Sequence, residues 1–185
     1  MREKNKIKFQ EMDEDLHTYF KWSANALMPV RGRACDLFLK QNLKVILPTA
    51  QRLLRLIGYT PGPIYRGVLL PEPVHALPPH QNIEYLSFST DRSVAYHFAN
   101  PYGFGSQYPG YNALLGSHGY VIEYTPQIAE VLFHYELLLM LPYAFAFSMT
   151  GINGELHVAF LSKQKEVTIL QPAEALTHLT KMEVD

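Results

Sequence analysis

The chain has 185 residues, of which 48% are hydrophobic and 18% are charged, as in an ordinary globular domain. The formal net charge is −1, so no global field would draw the protein to nucleic acid or to an anionic membrane. The single cysteine, Cys35, excludes an intramolecular disulfide and a four-cysteine zinc site.

The first third of the chain predicts helices. Apolar residues recur there at helical spacing as far as Ile57, Gly58 is a candidate helix end, and the segment "YTPGP" breaks the pattern. We therefore expect one domain over 1–185, with a helical part at 1–58 and mostly strands at 59–185. Helices followed by short strands predict an α+β fold with segregated layers.

The second part alternates short apolar runs with breaks rich in proline and glycine. The segments "IYRGVLL", "EYLSFST", "YVIEYT", "GELHVAFLS" and "EVTIL" predict strands. The segment "DRSVAYHFA" predicts a helix capped by Thr90 or Asp91, and "QIAEVLFHYELLLML" predicts another helix, with β-like character. A long loop is predicted for "NPYGFGSQYPGYNALLGSHG".

No membrane segment is predicted. The charged N-terminus lacks the apolar core of a secretory signal. The longest apolar stretch, 137–149, is too short to span a bilayer and contains Pro142. We therefore expect a soluble, cytoplasmic protein with no membrane partner.

Arg66 is a cation among the apolar residues of a predicted strand. A buried cation needs an anionic partner, and a guanidinium can bind two phosphate oxygens at once. Gly67 after it permits close approach of the backbone to a ligand. From the pattern alone, pairing with a protein carboxylate or an outward orientation is the commoner explanation of such an arginine.

Three hydroxyl side chains, Ser87, Ser89 and Thr90, lie where a predicted strand gives way to a helix. They could cap the helix, or they could organise a ligand and a carboxylate from elsewhere in the chain. Glu155 opens a later predicted strand after the turn "TGING". A solvated strand edge is the commoner reason for such an acid, but the order Arg, Ser-x-Ser-Thr, Glu is suggestive.

This order resembles the Arg-Ser-Glu type of ADP-ribosyltransferase, the group that contains cholera-toxin-like and clostridial enzymes. The segment "YRG" is similar to the family's arginine strand, "LSFST" and "VAYHFA" to its Ser-x-Ser strand and following helix, and "NGELHV" to its x-x-Glu strand. The resemblance covers nearly the whole chain. It implies an ADP-ribosyltransferase-like fold, in which N-terminal helices precede two small antiparallel or mixed sheets that form an NAD cleft.

The resemblance implies transfer of ADP-ribose from NAD, the co-substrate, with Arg66, Ser87 and Glu155 as catalytic residues. Arg66 would clamp the NAD phosphates, and Ser87 would orient Glu155, whose carboxylate stabilises positive charge on the ribose. The further residues expected at the NAD site are Gly67, Ser89, Thr90 and, from the aromatic loop that would cover nicotinamide, Tyr102 and Phe104.

Asn153 lies two residues before Glu155, where family members that modify arginine carry a second glutamate. Glutamine at that position is familiar in members that act on asparagine side chains and on nucleobases, and Asn153 resembles that amide. An amide both donates and accepts hydrogen bonds, which suits another amide or a base edge. Asn153 is therefore the expected acceptor-binding residue, and arginine is not the expected acceptor.

Basic residues cluster in the helical third, where only Asp36 opposes them, and could neutralise nucleic-acid phosphates. They are Arg31, Arg33, Lys40, Lys44, Arg52 and Arg55. A solvated helix face is the commoner meaning of such charge. Nucleic acid is thus slightly favoured over a protein side chain as the macromolecular acceptor. The expected biological role is that of a toxin or phage-related effector, and such a protein could have an antitoxin or regulatory partner.

Two other functions remain open: an NAD glycohydrolase, with water as acceptor, and a non-catalytic protein that binds a nucleotide or a partner. No metal is expected, because His75 and His80 lie in a proline-rich loop without a cysteine or a carboxylate pair. His157 shares the predicted strand face of Glu155, where a packed histidine is more common than a cleft residue.

Overall fold

The computed structural model describes residues 6–28, 33–79, 83–100 and 118–182. In this part of the chain the fold is α+β, as the sequence predicts. The helices are α1 (Glu14–Ala26), α2 (Arg33–Leu56), α3 (Arg92–Ala99), α4 (Tyr143–Met149) and α5 (Gly154–Gln164). The strands are β1 (Ile64–Leu70), β2 (Tyr85–Ser89), β3 (His118–Tyr124), β4 (Val131–His134), β5 (Glu166–Leu170) and β6 (Leu179–Lys181).

The six strands form one antiparallel sheet in the order β4-β5-β2-β1-β3-β6. β1 pairs with β3 along its whole length, and β2 does the same with β5. β1 and β2, in contrast, pair at one position, Tyr65 opposite Ser89. The sequence analysis expected two small sheets, whereas the described residues form one sheet of six strands. Its two halves, β4-β5-β2 and β1-β3-β6, are joined at the single Tyr65–Ser89 pair.

The helical first third is confirmed. Asp13 caps α1 by accepting a hydrogen bond from the Leu16 N–H at 2.7 Å. Four of the five buried residues of α1 recur at the spacing i, i+3, i+4, i+7, namely Leu16, Tyr19, Phe20 and Ser23, and the fifth is Trp22. Helix α2 runs for 24 residues and contacts β4.

Aromatic side chains dominate the main core between the helices and the sheet. Trp22 of α1 lies edge-on to Tyr85 of β2, with ring centroids 5.5 Å apart. Tyr143 of α4 packs against Phe133 of β4. The hydroxyls of Tyr143 and Ser23 share a buried hydrogen bond of 2.7 Å, in which either can be the donor. These contacts fix α1 and α4 over the half of the sheet that contains β2 and β5.

Helix α3 covers the other half of the sheet through a smaller core of Ala95, Ala99 and Val121. Two glycines allow its backbone to lie directly on the strands. A Cβ atom at Gly67 of β1 would lie 2.6 Å from the Ala99 nitrogen and closer still to the Ala95 carbonyl oxygen. A Cβ atom at Gly119 of β3 would meet the Ala99 carbonyl oxygen.

Two secondary-structure predictions are wrong. Residues 127–141 do not form one helix: strand β4 lies there between short 3-10 helices at Ile128–Glu130 and Tyr135–Leu139. Residues 154–162 form most of α5 rather than a strand. The predicted strands β1, β2, β3 and β5 and helix α3 are confirmed. Within the described ranges, no helix has both the length and the apolar character needed to cross a membrane.

Candidate active site

A pocket opens beside the single pair that joins the two halves of the sheet. Its volume is about 240 Å³. Its walls come from β1, β2, α3 and the junction between α5 and β5. The lining residues that carry polar side chains are Tyr65, Arg66, Ser87, Ser89, Gln164 and Glu166. A cleft is expected at this place, because β1 and β2 diverge beyond Tyr65 and Ser89.

Arg66 and Ser87, which the sequence analysis singled out, meet in this pocket. The half-buried Arg66 reaches across the gap between the strands, and its Nη1 atom donates to the Ser87 carbonyl oxygen at 2.6 Å. This bond fixes the guanidinium between β1 and β2. The Ser87 hydroxyl itself has no hydrogen-bond partner among the residues that the structure describes, so its donor is available to a neighbouring carboxylate or to a ligand.

Ser89 and Thr90 hold the end of β2 against the start of β5. The Ser89 hydroxyl donates to the Gln164 carbonyl oxygen at 2.6 Å and accepts from the Asp91 N–H at 2.9 Å. The Thr90 N–H donates to the Lys165 carbonyl oxygen at 3.1 Å. Asp91 is the cap of α3, since its carboxylate accepts from the N–H and the hydroxyl of Ser93. The contribution of Thr90 is therefore a backbone one, and its side chain does not line the pocket.

The carboxylate in the pocket is Glu166, the first residue of β5. It lies opposite Ser89 in the β2–β5 ladder, whereas Ser87 lies opposite Thr168. Residues directly opposite in an antiparallel pair share a face, and so do residues two apart on a strand. Glu166 is thus the diagonal neighbour of Ser87, a separation that a long side chain can bridge. The Thr168 hydroxyl donates to Glu166 Oε1 at 3.3 Å and orients this carboxylate.

Gln164 and Glu166 are separated by one residue of unusual conformation. Lys165 has a φ of 47°, in the left-handed region, where α5 ends and β5 begins. Its ammonium group lies 3.0 Å from the Asp91 carboxylate. Hydrogen bonds from the Ser93 hydroxyl and from Lys165 lower the pKa of Asp91 to about 2, and the bond to Asp91 raises the pKa of Lys165.

Glu155 does not lie where the sequence analysis expected it. It is an exposed residue in the first turn of α5 and does not line the pocket. A helix rises about 1.5 Å per residue, so about 14 Å of helix axis separates Glu155 from Gln164 at the pocket end of α5. The predicted hydrogen bond between Ser87 and Glu155 is therefore not made.

Asn153 has a local role that the sequence analysis missed. It caps α5, and its side-chain oxygen accepts from the Leu156 N–H at 3.1 Å. Four of the residues that α5 buries or half-buries follow the helical spacing i, i+3, i+4, i+7, namely Gly154, His157, Val158 and Leu161. The predicted strand face shared by Asn153, Glu155 and His157 does not exist. His157 instead packs edge-on against Phe147, with ring centroids 4.4 Å apart.

Gly67 lines the pocket, but the close approach that it permits is to α3 rather than to a ligand. Tyr102 and Phe104 lie outside the described residues. Tyr65 and Phe98, which the sequence analysis did not select, supply aromatic side chains to the pocket. The guanidinium of Arg92 lies over the Tyr65 ring, 5.8 Å from its centroid, and helps to fix that ring.

The basic cluster lies along α2, except for Arg31, which is outside the described residues. Two of its members form surface ion pairs, Arg52 with Asp13 at 3.2 Å and Lys40 with Glu84 at 3.5 Å. None of the described members of the cluster lines the pocket. Among the described residues no group of histidine, cysteine, aspartate and glutamate side chains could hold a metal ion, and His80 lies outside them.

Comparison of the chain with protein-family models, with curated proteins and with solved structures finds no match. The geometry of the pocket therefore carries the functional argument. One signal in the sequence could have led to it. Gln164-x-Glu166 opens a predicted strand and has the Gln-x-Glu spacing that the family resemblance implies.

Proposed function

We propose that this protein is an NAD-dependent mono-ADP-ribosyltransferase that acts on a macromolecular acceptor in the cytoplasm, with Glu166 as the catalytic carboxylate in place of Glu155. One observation carries the proposal: Arg66, Ser87 and Glu166 line the same pocket, at the place where the two halves of the sheet separate. The family resemblance expects an arginine, a serine and a glutamate to meet in such a cleft.

The proposed reaction breaks the bond between ribose C1′ of NAD and the nicotinamide nitrogen. The bonding electron pair leaves with nicotinamide, and positive charge develops on the ribose, as in glycoside cleavage. A nucleophilic atom of the acceptor then bonds to C1′ and loses its proton. Glu166 would accept a hydrogen bond from the ribose 2′-hydroxyl and stabilise the charge as it develops.

The other side chains of the pocket fit this chemistry. Arg66 suits the diphosphate of NAD, because a guanidinium can contact two oxygens at once. Ser87 and Thr168 lie opposite each other; the Thr168 hydroxyl donates to Glu166, and the Ser87 hydroxyl would supply a second hydrogen bond to that carboxylate. The pocket, at about 240 Å³, is smaller than sites that enclose a whole drug-sized ligand. It suits the nicotinamide–ribose end, with Tyr65 and Phe98 beside the ring.

Gln164 takes over the acceptor role that the sequence analysis gave to Asn153. It lines the pocket two residues before Glu166, which is the spacing expected for an acceptor-binding amide. An amide can pair with a base edge or with a side-chain amide. A nucleic-acid base remains slightly favoured over a protein side chain, in a toxin or phage-related effector whose partners would include an antitoxin or regulator.

The test uses two glutamates of the same chain. Glu166→Gln removes the charge from the pocket and keeps the shape, so transfer of labelled ADP-ribose from NAD to cell extract should fall about a hundredfold or more. Glu155→Gln is the matched control, because it removes an exposed glutamate outside the pocket. NAD affinity, measured by titration calorimetry, should stay near the wild-type value in both variants.

The outcome distinguishes the competing functions. Nuclease-sensitive label identifies a nucleic-acid acceptor, and protease-sensitive label identifies a protein. Free ADP-ribose without labelled macromolecule identifies a glycohydrolase, and NAD binding without turnover identifies a non-catalytic protein. Normal transfer by Glu166→Gln together with loss of transfer in Glu155→Gln would restore the original assignment and refute this one.

A further inference from the structure

A small set of contacts locks the segment 164–166 to the turn between β2 and α3. Ser89, Thr90 and Asp91 each contact this segment, through the Gln164 carbonyl, the Lys165 carbonyl and the Lys165 ammonium group. Both residues that flank Lys165, Gln164 and Glu166, line the pocket. We call these three contacts the turn clamp.

The backbone of Lys165 is the unusual part of the turn clamp. Lys165 is the one residue other than glycine with a positive φ among the described residues. Glycine and asparagine adopt the left-handed conformation at helix ends at the lowest cost, whereas a lysine there is unfavourable. Lys165 therefore holds this conformation at a cost that glycine would not have, and its side chain forms an ion pair with Asp91 at 3.0 Å.

The conformation of Lys165 also decides where its neighbours point. Gln164 is the last residue of a helix and Glu166 is the first residue of a strand, so a single left-handed residue turns the chain between them. A change of backbone angle at Lys165 would swing Gln164 relative to Glu166. Asp91 opposes such a change, because its carboxylate is itself held by the N–H and the hydroxyl of Ser93.

We infer that Lys165, paired with Asp91, is a positioning residue that sets the relative placement of Gln164 and Glu166, and hence of acceptor and ribose. This inference rests on the proposed function. It predicts a loss in turnover rather than in NAD binding, since the turn clamp does not include Arg66. A misplacement of about 1 Å in a reacting group can cost on the order of a hundredfold in rate.

Two variants break the ion pair in different ways. Lys165→Gly removes the ammonium group but adopts positive φ readily. Asp91→Asn removes the negative charge but keeps an oxygen that can cap α3. Each should lower kcat for transfer about tenfold or more, with KM for NAD within about twofold of wild type. The double variant should be no worse than either single variant, because both remove the same interaction.

Two further variants serve as controls. Lys165→Arg keeps a cation within reach of Asp91 and should retain most of the activity. Lys163→Ala removes an exposed lysine that forms no ion pair with the described residues, and it should leave kcat unchanged. Thermal melting separates an effect on positioning from an effect on folding. Because glycine adopts a positive φ easily, the Tm of Lys165→Gly should fall by no more than roughly one degree below the wild-type value.

The outcomes separate this inference from the proposed function. If wild type transfers ADP-ribose, Glu166→Gln does not, and both Lys165→Gly and Asp91→Asn keep wild-type kcat, the positioning role is refuted while the function stands. An equal loss of kcat in Lys163→Ala would also refute it. If wild type neither binds nor consumes NAD, both proposals fall together.

Discussion

Gly67→Ala tests whether α3 must lie directly on β1 for the pocket to form. The added methyl group would lie 2.6 Å from the Ala99 nitrogen and closer still to the Ala95 carbonyl oxygen. Non-bonded heavy atoms sit about 3.5 Å from carbon, so α3 would have to withdraw by roughly 0.9 Å to relieve the Ala99 contact alone. Both atoms belong to the backbone and cannot rotate away. We expect a loss in free energy of unfolding of about 3 kcal/mol, the upper end of the overpacking range.

Differential scanning calorimetry measures this loss. For a chain of this length, about 3 kcal/mol corresponds to a fall in Tm of about 6–12 °C. Gly62→Ala is the matched control, since a Cβ atom there meets nothing within 4 Å, and it should leave Tm unchanged or slightly higher. NAD affinity should fall in Gly67→Ala alone, because α3 and β1 both line the pocket. A Tm within about 1 °C of wild type for Gly67→Ala would refute the packing argument.

The remaining predictions concern the hydroxyls and the helix cap. Ser89→Ala should lower the free energy of unfolding by about 1–3 kcal/mol in chemical denaturation, because the buried Ser89 hydroxyl bonds both Gln164 and Asp91. Ser87→Ala should leave Tm unchanged and lower kcat in the transfer assay about tenfold. A stability loss in Ser87→Ala with a kcat loss in Ser89→Ala would contradict the proposed site. The folded pKa of Asp91, about 2, lies below its ordinary value of 3.8, so its contribution to stability is complete above pH 3.8 and is lost as the pH falls towards 2. Tm measured over that window should depend less on pH in Asp91→Asn, and parallel curves would show that this carboxylate is not paired.

The elements around the pocket were predictable because each carries a local signal. β1 and β2 are short apolar runs bounded by proline-rich breaks, and α3 begins with an aspartate cap. The three hydroxyls at the end of β2 also indicated a turn with specific hydrogen bonds, but their partners are not encoded locally. Which carbonyl Ser89 binds depends on the pairing of β2 with β5, and strand pairing over such a separation has no local signal.

The secondary structure of the segment 127–141 could not be predicted from the spacing of its apolar residues. Its apolar residues are nearly continuous, and a short apolar run fits a buried strand as well as a buried helix. Within it, Val131–His134 forms the edge strand β4, whose four residues are all buried and which contacts α2. Tertiary packing therefore decided the conformation there, and Tyr19 of α1 reinforces it by donating to the Leu132 carbonyl oxygen at 2.8 Å.

The error at α5 had a different cause. "GELHVAFLS" contains β-branched and aromatic residues, which favour a strand, but its buried positions follow helical spacing and Asn153 is a good cap. Caps and periodicity outweighed composition in this segment. The strand prediction put Glu155 at a strand mouth and made it the candidate carboxylate, 11 residues before Glu166, the carboxylate that we propose instead.

The order of the motifs does not choose between Glu155 and Glu166, whereas the register of the strands favours one of them. The expected order is an arginine strand, a serine strand and then a glutamate, and both Glu155 and Glu166 satisfy it. Order alone does not say which strand lies beside the serines. β5 is that neighbour, and its first residue must face the same side as Ser89. The carboxylate that we propose for action with Ser87 comes from the strand paired with β2, and among the residues of β5 Glu166 is the one that carries a carboxylate.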